Sequence, residues 1–360
     1  MNDALPSAAV HDRPLGPDAP AAEAGRLAWG ARILPWTALA AAAVLGLADP
    51  GITDAAAPWP FVIALVAFGM PHGAADWSVA AELNHTRGFL ARLLGFTGYL
   101  ALMAASLGLI MWQPGVSALL FLLLTVFHFG MADATAVHAD HDGPVARWGL
   151  VLGRGLLLLA TAFAAHPADA WSPFARIGEA LSPWPHHAWQ PDLARLQQLA
   201  VVGSIAGAVA ATCSVIARVR AGHARAAMLD AVEHAMVATV AMTANPLFTV
   251  GCYFLGVHAF RHTRRLACTH AVIDAPDATR GRAAAEGARA PLIGRILRVH
   301  VLSLPLMWVT ALGLVPLCWL LGWNGACTLA EASIAFYMVT TLPHHLLGLR
   351  LPQPDMPPAA

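Results

Sequence analysis

Of the 17 histidines in this 360-residue chain, the informative ones sit inside apolar runs. They occur in four segments: PHGAAD (71–76), FHFGMAD (127–133), GVHAFRH (256–262) and TLPHH (341–345). His258 and His262 are four residues apart, so both rings project from one helical face and read as a ligand pair. His72 and Asp76 share that spacing, while His128 and Asp133, five apart, match it more loosely. Neutral imidazoles with few carboxylates suit zinc, iron, copper or nickel better than magnesium or calcium. Asp76 and Asp133 read either as outer supports, because a ligating imidazole usually gives its other N–H to a carboxylate or carbonyl, or as helix-packing groups. Glu233, followed by His234, lies in apolar surroundings and is either a functional group or the partner of a nearby arginine. Of His344 and His345, one could face the site, or both could be polar residues near a helix end. Gly73 and Gly130 allow either close helix approach or room for a bulky substrate. A single intramembrane histidine is often only a helix–helix hydrogen bond. The set is what argues for a site.

These groups need elements that carry them to one place. The chain is 58% hydrophobic and 12% charged, with mean hydropathy +0.60, whereas soluble domains carry about a quarter charged residues. An all-α, polytopic transmembrane helix bundle follows. Candidate spans cover 31–49, 58–82, 89–112, 115–137, 146–166, 198–218, 228–244, 246–264, 299–322 and 326–349. The seventh and eighth abut at Asn245-Pro246, which reads as a tight turn. About ten spans put both termini on one side. All 21 basic residues are arginines, and they favour the loops that share the N-terminal side, which makes both termini cytoplasmic. Arg176 and Arg195, in the longer 167–197 loop, break that pattern.

On this topology His72, His128, His258, His262, His344 and His345 fall on even-numbered spans, each in the second half. They share one depth band toward the cytoplasmic leaflet. Span seven runs the other way and carries Glu233 near its start, at the same side.

Residues 1–29 read as a disordered cytoplasmic tail, 30–350 as one transmembrane catalytic domain, and 351–360 as a disordered C-terminal tail. No signal-peptide order of segments is visible. Residues 266–290 read as a polar cytoplasmic loop, and the Trp- and His-containing 167–197 loop as a structured interfacial cap. A formal net charge of zero gives no case for nucleic acid. The five cysteines form no CxxC pair and no disulfide pattern.

The four segments, in this order on a polytopic bundle, resemble the Brp/Blh family of bacterial and archaeal membrane β-carotene 15,15′-dioxygenases. The resemblance covers roughly residues 58–350, and PHGAAD is its most specific part. It implies a multi-pass protein of the inner (plasma) membrane. The implied enzyme uses Fe(2+) and O2 to split the central double bond of β-carotene, or a related carotenoid, into two all-trans-retinal. A rhodopsin would be a possible recipient of that product. The ligand set it implies falls on His72, His128, His258 and His262. A bilayer-dissolved polyene could enter such a site laterally. Phe68, Phe127, Phe129, Phe254 and Phe260 are candidates to line its path, and Gly69, Gly73, Gly130 and Gly256 to leave it width.

Two other classes fit parts of the pattern. A membrane di-metal hydroxylase or desaturase would use an HxxxH box such as HAFRH, but the expected HxxHH box is only partial in PHH. A proton-coupled carrier would use His72, Asp76, His128, Asp133 and Glu233 as a relay, but these groups crowd one depth instead of crossing the membrane.

Overall fold

The computed structural model describes residues 19–137, 142–183, 190–268 and 292–350. Among them every regular element is helical. In chain order these are α1 (Ala19–Ala48), α2 (Pro50–Ala56), α3 (Trp59–Ala64), α4 (Met70–Ala74), α5 (Asp76–Leu83), α6 (Phe89–Gly95), α7 (Thr97–Trp112) and α8 (Pro114–Ala136). They continue as α9 (Pro144–Ala165), α10 (Pro167–Leu181), α11 (Leu193–Arg220), α12 (Ala224–Thr243), α13 (Pro246–Tyr253), α14 (Phe260–Cys268), α15 (Leu292–Leu320) and α16 (Gly325–Leu349). α1 begins inside the segment that composition marks as a tail. The 266–290 loop falls largely outside the described residues.

Local chemistry explains many of the boundaries. α2, α8, α9, α10 and α13 start on proline, whose fixed φ and missing N–H suit the first helical turn. Asn245 caps α13 by accepting from the backbone N–H groups of Leu247 (2.9 Å) and Phe248 (3.4 Å). The expected turn at Asn245-Pro246 is therefore a capped helix start.

Five helices among the described residues are long and apolar enough to cross a membrane: α8, α9, α11, most of α15, and α16. Two bent pairs, α2 with the Trp59–Gly69 segment and α6 with α7, raise this to as many as 7. The other expected spans lie on shorter, charged or interrupted helices. α12 carries the buried Asp230 and Glu233, and a wide π-type turn, Phe254–Ala259, separates α13 from α14.

A second π-type turn, Leu65–Gly69, joins α3 to α4. Pro71 accounts for it. A proline has no N–H for the carbonyl four residues back and clashes with it. That carbonyl, Ala67 O, instead meets His300 Nε2 of α15 at 2.5 Å. Ser303 of α15 donates to Pro71 O at 2.8 Å, so α15 holds the backbone within the π turn and just after it.

α8, α9 and α11 pack through small residues. A Cβ on Gly130 would strike the Val151 backbone, and one on Gly155 the Val126 backbone. Gly153 touches Ala211 in the same way. Such contacts bring transmembrane helices close enough for dispersion to hold them.

The 167–197 loop contains α10, which packs Ala170, Trp171, Phe174 and Ile177 into the core. Arg176 pairs with Glu331 of α16 at 3.1 Å, which gives that exception to the arginine pattern a structural partner. Residues 184–189, with His186 and His187, lie outside the described residues.

Candidate functional site

α8, the Phe254–Ala259 turn, α14 and α16 bring five imidazoles together. Ring centroids lie 4.6 Å apart for His128 and His258, 5.2 Å for His128 and His344, and 5.3 Å for His128 and His345. His262 lies 5.1 Å from His344 and 6.2 Å from His258, with the latter two rings close to parallel. His128, His258, His262 and His344 are all buried. The backbone of His72 lies in α4, but its side chain is outside the described residues. Among the described residues no group of three or more ligating side chains is already set around one point. The rings are gathered but not closed. As a donor set they fit a borderline transition metal: several nitrogen donors, no cysteine and no carboxylate between the rings.

Two contacts hold imidazoles of this cluster in place. His344 Nδ1 lies 2.8 Å from Asp76 Oδ2, and Tyr99 donates its hydroxyl to the same oxygen at 2.7 Å. His128 Nδ1 lies 3.1 Å from His345 Nδ1. Asp76 thus supports His344 from the start of α5, a pairing that its four-residue spacing from His72 does not indicate.

Asp133 and Glu233 belong elsewhere. Five residues of α-helix turn through about 500°, leaving Asp133 on a face roughly 140° from His128. There it meets Arg261 Nη1 at 2.9 Å and Arg154 Nε at 3.5 Å, and accepts from the Tyr253 hydroxyl. Glu233 meets Arg261 Nη2 at 2.8 Å, Arg154 Nη1 at 3.0 Å and Arg32 Nη1 at 3.4 Å, and accepts from Trp36 Nε1 at 3.0 Å. Arg32 continues to Asp230 at 2.8 Å, and Arg218 joins Asp230 to Asp142. Four arginines here face four carboxylates, a balanced set that keeps buried charge tolerable. Arg154 and Arg261 are not among the groups that sequence reasoning singles out. A lone arginine inside GLVLGRGLLLL is the available signal for the first.

An apolar cavity of about 440 Å³ adjoins the histidines, and His128, His258 and His344 stand in its wall. Its lining on α13 and the following turn runs from Pro246 to His258, roughly 18 Å at 1.5 Å per residue. α10 borders it through Ala170, Pro173 and Phe174, and Trp77, Phe96 and Tyr99 border it as well. Three threonines in the wall turn their hydroxyls to their own helices: Thr125 to Phe121 O (2.7 Å), Thr340 to Phe336 O (3.0 Å) and Thr341 to Tyr337 O (2.7 Å). Leu100 of α7 and Val309 of α15 line the cavity yet are 42% and 63% exposed, so it reaches the apolar outer surface between those helices.

Of the expected lining groups, Phe129, Phe254, Gly69 and Gly73 border the cavity. Phe129 also lies 4.4 Å from the His258 ring. Phe68, Phe127, Phe260, Gly130 and Gly256 are not in its wall. Phe127 packs with Leu150 and Val151, Phe68 against Phe260, and Gly256 against Ala38 of α1. A Cβ on Gly73 would meet nothing within 4 Å. The two glycines beside histidines therefore differ, Gly73 giving space and Gly130 giving helix contact.

The chain has recognisable relatives among known proteins. A probable beta-carotene 15,15′-dioxygenase Blh of Halobacterium salinarum is 28% identical over 331 residues, 88% of this chain and 91% of that protein. A beta-carotene 15,15′-dioxygenase of uncultured marine bacterium 66A03 is 39% identical over 93 residues, 25% of this chain and 34% of that protein. No solved structure matches. The family model described as Beta-carotene 15,15′-dioxygenase matches residues 63–351, which include all the histidines gathered here, and the chain belongs to that family of dioxygenases.

Proposed function

We propose that this protein is a membrane enzyme that cleaves β-carotene with O2 at the central 15,15′ double bond, giving two all-trans-retinal. The observation that carries this reading is the cluster of buried imidazoles in the wall of an apolar cavity that reaches the apolar outer surface. His72, His128, His258 and His262 would hold a ferrous ion. That ion, when bound, supplies the dioxygen chemistry.

The chain's own residues do the rest. Phe129 and Phe254 offer flat apolar surface beside His258, suited to a conjugated chain. Thr125, Thr340 and Thr341, bonded to their own helices, offer few polar groups to the cavity. Closure of the cavity around an apolar substrate excludes water from the reacting bond, and the fixed wall orients that bond toward the histidines. Val309 and Leu100 mark the route by which a bilayer-dissolved polyene enters. Ten crossings with both termini cytoplasmic, in the inner membrane, remain our reading of the topology. Asp133 and Glu233, which a proton relay would need, are held by arginines instead.

Expression in β-carotene-accumulating bacteria tests the proposal. Loss of colour together with retinal on chromatography is the expected result. Unchanged colour with the protein present in the membrane would refute it, and apocarotenals of unequal length would refute central cleavage.

A further inference from the structure

We infer that His344 is a further ligating imidazole of this centre, oriented by Asp76 and, through Asp76, by Tyr99. The inference rests on the ferrous-centre reading above and extends its ligand set.

A histidine that binds metal through one ring nitrogen usually donates the other N–H to a carboxylate, which fixes its tautomer and raises its basicity. Among the gathered histidines, His344 has this arrangement: Nδ1 lies 2.8 Å from Asp76 Oδ2. The carboxylate itself is fixed, because Tyr99 donates to the same oxygen at 2.7 Å. With Nδ1 on the carboxylate, coordination would fall to Nε2, which is fully buried. The His344 ring faces both His262 at 5.1 Å and His128 at 5.2 Å, so it stands between the helices that carry the other imidazoles. It also borders the cavity.

His345 has a different role. Its Nδ1 faces His128 Nδ1 at 3.1 Å, so it holds a ligand in place and is a positioning residue. A carboxylate on Nδ1 separates the two neighbours: His344 has Asp76, and His345 has another imidazole.

The test uses the full chain, purified in detergent, and measures Fe(II) affinity by chelator competition. The spectrum of the ferrous nitrosyl complex gives a second readout. His344→Gln and His344→Gly should bind Fe(II) at least tenfold more weakly and show an altered nitrosyl spectrum. Added imidazole should restore both properties to the glycine variant. Asp76→Asn should weaken Fe(II) binding by about 10–100-fold, and Tyr99→Phe by less. Helical content and a single gel-filtration peak establish that each variant is folded. Rescue by imidazole separates loss of a ligand from loss of structure. Wild-type affinity and spectrum in folded His344→Gln overturn the inference while leaving the ferrous centre standing. Failure of the unaltered protein to bind Fe(II) overturns both.

Discussion

Arg261 Nη1 lies 2.9 Å from Asp133 Oδ1, and this contact joins the helix of His262 to the helix of His128. Arg261 immediately precedes His262 and lies three residues beyond His258. The ion network thus sets two histidine-bearing helices against each other from behind the rings.

Arg261→Met should remove that brace. The variant leaves Asp133 and Glu233 short of one cation in a buried setting, at a cost of about 3–5 kcal/mol. Thermal unfolding in detergent measures the loss. Lower iron content should accompany it, because His258 and His262 share the helical segment that shifts. A variant with unchanged melting and full iron would show that the other arginines carry the load alone.

What can be read in the sequence is which helices carry the histidines, not which way each side chain turns. Hydropathy puts His128, His258 and His344 within apolar segments, and the fold brings their rings together. Which face each side chain takes depends on register, and the two π-type turns reset register within their segments. The turn before Pro71 has a local cause in that proline. The turn at Phe254–Ala259 has none that we can identify. The similar spacing of His72 with Asp76 and of His128 with Asp133 suggests that each aspartate supports its own histidine, yet five residues of helix rotate Asp133 away. Asp76 does support an imidazole, but its partner, His344, lies 268 residues further along the chain, a separation no local spacing reveals. α10 is legible only as a structured cap, since its apolar face is short and sits among tryptophans and prolines.

His128→Ala should abolish tightly bound iron and activity together. His345→Ala should act more mildly, at about tenfold in iron affinity, since it removes only the neighbour of His128 Nδ1. Metal analysis of the purified variants separates the two. Equal losses would place both rings on the ion.

The two glycines predict opposite phenotypes. Gly73→Leu fills cavity space and should raise KM for the carotenoid several-fold with iron retained. Gly130→Ala drives a methyl into the Val151 backbone and should cost about 1–3 kcal/mol of stability. Carotenoid binding and thermal melting, measured on both proteins, would reveal any exchange of these effects.

Val309→Asp places a charge where the cavity meets the apolar outer surface. Translocon scales put such a charge at about 2.5–3.5 kcal/mol in mid-membrane. Carotenoid uptake should slow while Fe(II) binding holds, and stopped-flow mixing with carotenoid-loaded vesicles reads the rate. An unaltered rate would place the entrance elsewhere.

The opening bounded by Leu100 and Val309 has a kinetic corollary for an enzyme of this kind. A substrate that arrives through the side of the bundle is counted per lipid, not per litre. Turnover at fixed total carotenoid should fall as inert phospholipid is added, and should ignore the aqueous volume. Under the proposed cleavage, the two aldehydes would likewise be released into the same two-dimensional phase, within diffusional reach of any acceptor embedded beside the enzyme.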